Sequence, residues 1–367
     1  MNVEAFFSQR VREIGGSGIR KIFDLAAKLE EPVNFSIGQP HFDVDPEIKR
    51  RAVEAIEQGF NRYTPSGGIE ELKQSIAEKE PELAEEGREV MITSGVSGGI
   101  LLSFLALIDP GDEVLIPDPA FVSYKHVVRM AGGVPVFFDT YPDFRLYPDR
   151  IESSITDRTK LLILNSPSNP TGIVYTDEEL SQAAELCRTH NILPVSDEIY
   201  RSFSFDRKAG SILDHIPSSV ILRGFSKDYA MTGWRMGYAS APVSLIREMT
   251  KLQQFSFVNA PSFAQKACVH ALHISVRERI TEYSAKRDLI YSELKDTYDI
   301  IRPEGAFYCF PRVPKGTGSD FTAKAIENNL LLVPGIAFSE KDTHFRISFA
   351  AENSDLVKGI EILKTLA

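Results

Sequence analysis

Lys227 and Arg235 are the two residues of this chain whose types and spacing point most directly to chemistry. They lie eight residues apart in the run from Gly224 to Gly237. A lysine amine becomes a nucleophile only where its surroundings lower its pKa, and lysines that form Schiff bases occupy such pockets. The rigid donor fork of arginine suits a phosphate ester. Each residue alone is compatible with an ordinary polar loop between two apolar strands, but the whole run favours covalent chemistry beside a phosphate site.

Two further polar segments follow strand-like runs. The segment Asn165–Gly172 is rich in turn-forming residues, and Ser196–Tyr200 places Asp197 where a buried strand ends. Each has a simpler explanation on its own, because the first is compatible with a capped loop and a lone aspartate can cap a helix. The alternative is that both segments carry ligand-binding side chains at the ends of strands.

A glycine-rich turn joins a strand to an apolar helix in the segment Val90–Gly99. The exposed amides at the start of such a helix carry about half a positive charge and can cradle a phosphate. Glycine-rich turns that merely close a strand-helix unit are commoner than phosphate sites. The turn alone is therefore weak support for a phosphate site.

The elements that must position these residues alternate between strand and helix. Asp45–Gly59 and Gly68–Glu80 have helical apolar spacing, and Asp177–Thr189 is a later helix of the same kind. The predicted strands are Val90–Thr93, Glu113–Ile116, Val134–Phe138, Leu161–Leu164, Ile192–Val195 and Val220–Leu222. Alternation of this kind predicts an α/β fold with a mostly parallel central sheet covered by helices, and ligands of such sheets collect beyond the carboxyl ends of the strands.

The pattern changes in the last third of the chain. Ser262–Thr297 predicts one long helix, and Gly305–Phe310, Leu331–Val333 and His344–Phe349 precede a closing helix, which indicates a smaller α+β domain. We therefore expect an N-terminal segment over 1–44 that packs with the small domain, a large domain over 45–260, and a long connecting helix with the small domain over 261–367.

Charge and composition exclude several classes of protein. The 367 residues include 41 basic and 51 acidic side chains, a net charge of −10, which argues against nucleic acid or an anionic membrane as the main partner. The most apolar stretch, Gly98–Ile108, is shorter than the about 20 residues of a membrane span. Three scattered cysteines indicate neither a disulfide framework nor a zinc site. With no signal-peptide pattern near Met1, we expect a cytoplasmic protein that binds no metal.

Taken together, these motifs resemble those of the class I and II aminotransferases, which carry pyridoxal 5′-phosphate (PLP). The resemblance runs from about Phe35 to Phe349, with the motifs in family order and at family spacing. It implies the fold-type I architecture, a large PLP-binding domain with a smaller domain, and a homodimer with shared active sites. The implied reaction moves the amino group of an L-amino acid to a 2-oxo acid such as 2-oxoglutarate.

The resemblance also implies roles around the cofactor. Lys227 would hold PLP as an internal aldimine and then move a proton as general base and acid, while Arg235 would grip the phosphate. Asp197 would keep the ring nitrogen protonated, so that the ring acts as an electron sink. Asn169 and Tyr200 would reach the phenolic oxygen.

Five more residues are implied at the cofactor by the same resemblance. Backbone groups of Val96 and Ser97 would contact the phosphate, and Phe121 would stack on the ring. Ser226 is placed with them, because Gly224 stands where many relatives have a phosphate-binding serine. Tyr63 would reach the phosphate of the neighbouring subunit; taken alone, it is a loop tyrosine.

Three residues are implied at the substrate. Arg346 would clamp the α-carboxylate through its two-pronged donor fork, although an exposed arginine on an edge strand is the simpler explanation. Gly38 belongs to a segment that the family brings over the substrate, and Asn169 would contribute there as well. Ser97 stands where some aspartate-preferring relatives have lysine, so we expect no large preference for aspartate.

Two other functions are compatible with parts of this pattern. A carbon-sulfur β-lyase would keep the fold and cofactor but eliminate a leaving group instead of transferring the amine. A ligand-sensing aminotransferase-like domain of a transcription regulator is disfavoured, because no basic DNA-binding module precedes the motifs.

Overall fold

The structure of the chain is a computed structural model that describes residues 1–15 and 29–367. Its helices are α1 (Gln9–Glu13), α2 (Pro46–Glu57), α3 (Glu70–Lys79), α4 (Gly95–Leu107), α5 (Ser123–Ala131), α6 (Pro148–Glu152), α7 (Asp177–Thr189), α8 (Val243–Gln254), α9 (Ser262–Ala271), α10 (Arg277–Leu294), α11 (Gly318–Glu327) and α12 (Asn353–Leu366). Its strands are β1 (Val33–Asn34), β2 (Arg88–Ser94), β3 (Glu113–Asp118), β4 (Val134–Asp139), β5 (Thr159–Asn165), β6 (Leu193–Asp197), β7 (Val220–Gly224), β8 (Met236–Pro242), β9 (Tyr308–Cys309), β10 (Leu330–Leu331), β11 (Val333–Pro334) and β12 (Phe345–Ser348).

A seven-stranded sheet forms the centre of the large domain. Its strand order is β2-β8-β7-β6-β5-β3-β4, and the neighbours from β7 to β4 are parallel. Strand β8 alone in this sheet runs antiparallel to both of its neighbours, β2 and β7. The prediction of a mostly parallel sheet covered by helices is confirmed.

Strand direction places the candidate residues at one edge of this sheet. The carboxyl ends of β2, β3, β5, β6 and β7 lie at the same edge, because these strands share one direction. The amino-terminal end of the antiparallel strand β8 lies there too. The loops that follow these five strands and the loop that precedes β8 therefore converge on one region.

Local sequence explains how the helices begin. At the start of α2 the Asp45 side chain accepts a hydrogen bond of 2.9 Å from the Glu47 amide, and Pro46 occupies the first turn. Helix α7 begins with a capping box, in which Thr176 and Glu179 satisfy each other's backbone amides. Helix α4 is buried over most of its circumference, since it packs between the sheet and α8. These signals are local, which is why the helix starts were predictable.

The small domain is built on two short sheets. Strand β12 lies between β11 and β9 in an antiparallel sheet, and β1 pairs in parallel with β10. Helix α12 packs against α10 and β1. Strand β1 therefore joins the segment that precedes Gly38 to the small domain.

The predicted long helix over Ser262–Thr297 is wrong, because the structure has two helices there. Helix α9 ends at Ala271 and packs against α2, while α10 begins at Arg277. Between them the Ser275 hydroxyl accepts a hydrogen bond of 3.3 Å from the Arg277 amide. Such local bonds compete with continuation of a helix, and the apolar spacing does not reveal them.

The N-terminal segment is only partly described. Helix α1 contacts α5, and the Arg10 guanidinium donates to the Met130 carbonyl oxygen at 3.3 Å. Positions 16–28, which belong to the N-terminal segment predicted over 1–44, lie outside the described residues. Within the described ranges, no helix has both the length and the apolar character needed to cross a bilayer, and no cluster of three potential metal ligands occurs.

Candidate active site

A cavity of about 260 Å³ opens at the edge where the strand ends converge. Every candidate residue except Tyr63 lines it. The lining residues are Gly38, Val96, Ser97, Ile100, Phe121, Tyr124, Asn165, Asn169, Asp197, Ile199, Tyr200, Ser226, Lys227, Thr232, Arg235, Tyr308 and Arg346.

Lys227 follows β7 and points its amine into the cavity. The Nζ atom donates a hydrogen bond of 2.6 Å to the Gly38 carbonyl oxygen and lies 5.6 Å from the centre of the Tyr200 ring. Burial, and next the positive charge of Arg346, lower the pKa of Lys227 to about 8, while Asp197 opposes the change. The amine therefore sheds its proton closer to neutral pH than an ordinary lysine, as a nucleophile must.

Asp197 ends β6 at the cavity wall and is almost fully buried. Its carboxylate accepts hydrogen bonds from the Tyr124 hydroxyl at 2.8 Å and from the Ile199 amide at 3.1 Å. Burial raises the pKa of Asp197 to about 6, against these hydrogen bonds and the charge of Lys227. The carboxylate is thus fixed in position and would gain from a cationic partner in the cavity.

Arg346 lies on β12, the middle strand of its sheet, and only 2% of its surface is exposed. Its Nη1 atom donates to Asn169 Oδ1 at 3.0 Å, and Nη2 donates to the Ser36 carbonyl oxygen at 2.6 Å. The guanidinium lies between two rings, 4.6 Å from the centre of Tyr308 and 4.8 Å from that of Phe338. Arg346 is therefore not the exposed edge residue that its alternating sequence context also allowed.

The Arg346 guanidinium also retains unused hydrogen-bonding capacity. Its Nε atom is buried without a hydrogen-bond partner, and no carboxylate in the described ranges forms an ion pair with it. Burial lowers the pKa of this arginine. An unpaired buried cation is costly, and an anion bound in the cavity would relieve that cost.

Asn169 and Tyr200 complete the side of the cavity next to Arg346. The Asn165 side chain accepts from the Asn169 amide at 2.8 Å, which fixes the loop after β5. Tyr200 is buried, and its hydroxyl lies 2.9 Å from the Tyr308 hydroxyl.

A second part of the cavity wall has the groups that an anion needs. Helix α4 begins at Gly95, so the amides of Val96 and Ser97 lie at its positive end. Gly95 has a φ of +67°, and a Cβ atom there would lie 2.7 Å from Nη2 of Arg235. Glycine therefore lets the guanidinium approach the helix start, and no carboxylate among the described residues pairs with Arg235. Ser226 is buried and lines the same cavity.

Phe121 and Tyr63 complete the set of candidates. Phe121 is partly buried, and its ring makes an edge contact with Tyr124 at 5.5 Å between centres. Tyr63 lies apart from the cavity on a surface shared with Phe257 and Val258, and 83% of its surface is exposed. The structure of one chain therefore does not bring Tyr63 to the other candidates.

Of the six cavity residues that were not among the sequence candidates, three hydrogen-bond through their side chains to other cavity residues. They are Tyr124, which donates to Asp197, Asn165, whose amide donates to the Asp197 carbonyl oxygen at 2.9 Å, and Tyr308. Asn165 opens the segment Asn165–Gly172, and Tyr124 follows the candidate Phe121 by three residues, so their position was a usable signal. Tyr308 lies in an apolar strand, and its sequence context gave no such signal.

The chemistry of the cavity fits PLP. One end offers helix amides and Arg235 for a phosphate, the wall offers the Asp197 carboxylate for a ring nitrogen, and Lys227 offers an amine for an aldehyde. These groups match the three functional parts of the cofactor in chemistry.

Comparisons with known proteins agree with this assignment. The family model "Aminotransferase class I and II" matches residues 30–361. The chain is 39% identical to a "Probable aspartate aminotransferase" of Methanocaldococcus jannaschii, covering 98% of this chain and 99% of that protein. It is 36% identical to "Aromatic-amino-acid aminotransferase 2" of Thermococcus litoralis, covering 96% of each.

A solved structure shows the same architecture. The aspartate aminotransferase from Thermus thermophilus with maleate matches with a TM-score of 0.92 and 32% identity, over 98% of this chain and 99% of that one. The chain therefore belongs to the class I and II aminotransferases, and it is a fold-type I enzyme that uses PLP to transfer amino groups.

Proposed function

We propose that Lys227 holds the cofactor covalently and moves the proton at the substrate α-carbon through its Nζ atom. The support is its position in the cavity and its lowered pKa of about 8, which suits a group that both accepts and donates a proton. When bound, PLP supplies a conjugated ring that withdraws electrons from the α-carbon. Asp197 keeps the ring nitrogen protonated, since a buried carboxylate stabilises a neighbouring cation.

The remaining residues at the cofactor bind and orient it. The amides of Val96 and Ser97, with Ser226 and Arg235, hold the phosphate. Asn169 and Tyr200 reach the phenolic oxygen and Phe121 stacks on the ring, consistent with where their side chains lie around the cavity. In this proposal residues 45–260 form the unit that binds the cofactor, and the small domain supplies Arg346.

The observation that carries the substrate assignment is Arg346 itself. A buried guanidinium with an unpartnered Nε atom and no carboxylate counterpart in the described ranges shares a cavity with the Lys227 amine. An α-amino acid carries a carboxylate and an amine on one carbon, so it can use both groups at once. Arg346 therefore binds the α-carboxylate, and the segment containing Gly38 covers the substrate.

Ser97 bears on the identity of the amino donor. Ser97 is exposed at the cavity and carries no charge for a distal carboxylate. We infer that aspartate has no large advantage over neutral or aromatic donors, with 2-oxoglutarate as an acceptor. Similar proteins include both aspartate and aromatic-amino-acid aminotransferases by name. No observation favours β-elimination over amino transfer.

We further propose a cytoplasmic homodimer in which Tyr63 of each subunit reaches the phosphate site of the other. Tyr63 is 83% exposed and lies near the exposed side chains of Phe257 and Val258. Exposed apolar groups of this kind are typical of surfaces that a partner covers. A second subunit would bury them.

A donor panel tests the proposal. Wild-type enzyme and Arg346→Lys are assayed with 2-oxoglutarate and aspartate, alanine or phenylalanine. Lysine keeps the charge but loses the donor fork, so kcat/KM should fall about 10- to 150-fold for every donor alike. Arg158→Lys, which changes an exposed arginine elsewhere, is the control. Loss for one donor only would contradict the proposal, as would release of ammonia and pyruvate from a cysteine conjugate without transfer of the amine to 2-oxoglutarate.

A further inference from the structure

Tyr308 lies between two groups that the proposed function uses. Its hydroxyl is 2.9 Å from the Tyr200 hydroxyl, and its ring centre is 4.6 Å from the Arg346 guanidinium. Strand β9, which carries Tyr308, pairs with the strand that carries Arg346. One buried side chain thus contacts both the carboxylate-binding residue and the residue placed at the phenolic oxygen.

The packing leaves the Tyr308 hydroxyl little freedom. Its ring is fully buried and lies 4.8 Å from the ring centre of Phe307. A Cβ atom on Gly38 would come within 2.6 Å of the hydroxyl oxygen, so the backbone closes on it from that side. Within the described ranges, Tyr200 is the only hydrogen-bond partner of this hydroxyl.

The direction of the hydrogen bond between the two tyrosines follows from counting protons. A phenol hydroxyl has one proton to donate and can accept as well. If Tyr200 donates its proton to the phenolic oxygen of the cofactor, then the proton between the two tyrosines must come from Tyr308. Burial raises the pKa of Tyr308, but the Arg346 charge opposes this rise and favours Tyr308 as the donor.

We propose that Tyr308 is a positioning residue that orients the Tyr200 hydroxyl toward the cofactor and strengthens it as a donor. This inference rests on the proposed roles of Tyr200 and Arg346. A donor to the phenolic oxygen stabilises its anionic form and so lowers the pKa of the carbon-nitrogen linkage between Lys227 and the cofactor. Tyr308 therefore helps to set the protonation state of that linkage.

The test is a spectrophotometric pH titration of the bound cofactor in wild-type enzyme, Tyr308→Phe, Tyr200→Phe and the double variant. Tyr308→Phe keeps the ring and removes one neutral hydrogen bond, so the linkage pKa should rise by about 0.4 to 1 pH unit. Tyr200→Phe should raise it at least as far. In the Tyr200→Phe background, Tyr308→Phe should not change the linkage pKa further, because Tyr308 acts through the Tyr200 hydroxyl, which is already absent.

A matched control separates positioning from loss of a buried hydroxyl. Tyr298 is also a buried tyrosine, and its hydroxyl donates to the Leu363 carbonyl oxygen at 2.6 Å in the small domain. Tyr298→Phe should leave the linkage pKa unchanged. Replacing Tyr308 with 3-fluorotyrosine, whose hydroxyl is the stronger donor, should lower the linkage pKa and gives a test of opposite sign.

The outcomes distinguish this inference from the proposed function. A Tyr308→Phe titration equal to wild type, or an equal shift with and without Tyr200, would overturn the role of Tyr308. If wild-type enzyme binds PLP at Lys227 and transfers amines normally in that case, the proposed function stands. If the wild-type protein shows no cofactor linked to Lys227, the proposed function itself fails.

Discussion

Replacing Arg346 with methionine should raise the pH at which the Lys227 amine loses its proton in the cofactor-free protein. Burial is the largest cause of the lowered pKa of Lys227, and the charge of Arg346 is the second. The variant removes the charge and keeps an apolar side chain, so burial of the amine remains. Asp197→Asn should shift the same pKa downward, because it removes a negative charge that favours the protonated amine.

The size of the effect follows from the two pKa values. Lys227 ionises near pH 8, whereas an ordinary lysine does so near 10.5. At neutral pH, the difference gives Lys227 about 300 times more neutral amine than an unperturbed lysine. Arg346→Met should remove part of that advantage but not all of it, since burial persists.

Acetylation by trace acetic anhydride measures the neutral amine without requiring the cofactor. The rate at Lys227 is followed by mass spectrometry across a pH series that includes both values, with the exposed Lys251 as a reagent reference in the same digest. Half-maximal reactivity should occur near pH 8 in the wild type, higher in Arg346→Met and lower in Asp197→Asn. A wild-type midpoint near 10.5, or shifts of both variants in one direction, would refute the electrostatic argument.

Three further predictions concern neighbouring parts of the site. Asp197→Ala should still bind PLP through Lys227 and the phosphate contacts, which the cofactor absorbance measures. Its turnover in steady-state kinetics should fall about 10- to 150-fold or more, because the ring nitrogen loses its charge-assisted partner. Inactive Tyr63 and Lys227 variants, refolded together, should regain activity, since a mixed dimer contains one site with both residues intact. Ser97→Lys should raise kcat/KM for aspartate relative to phenylalanine, because lysine can pair with a distal carboxylate.

Each of these predictions has a clear contrary result. Wild-type turnover in Asp197→Ala would remove the electron-sink role of that residue. Full activity of Tyr63→Phe, or no recovery on mixing, would exclude a shared site. A strong aspartate preference in the wild type that Ser97→Lys leaves unchanged would show that position 97 does not control the choice of donor.

The sequence predicted the large domain well because its signals are local. Strand-helix alternation and caps such as Thr176 with Glu179 act within a few residues, and strand direction then brings the loop motifs to one edge. The break between α9 and α10 was missed because one side-chain hydrogen bond at Ser275 interrupts an otherwise helical pattern.

The rest of the site depends on contacts that are distant in sequence. Arg346 is buried because Ser36, Asn169 and other residues distant in sequence enclose its guanidinium, which its own alternating pattern cannot reveal. Tyr124 hydrogen-bonds to Asp197, 73 residues away in sequence, and Tyr308 hydrogen-bonds to Tyr200, 108 residues away. No periodicity encodes such pairs, so they emerge only from the folded chain.

Borohydride reduction of the PLP-loaded enzyme tests most directly whether Lys227 is the residue that holds the cofactor. Reduction converts the carbon-nitrogen linkage to a stable amine, and mass spectrometry of the digest then locates the added mass. We predict that the label lies on the peptide containing Lys227, and that Lys227→Ala prevents labelling. A label on another lysine, or no label after addition of PLP, would contradict the account.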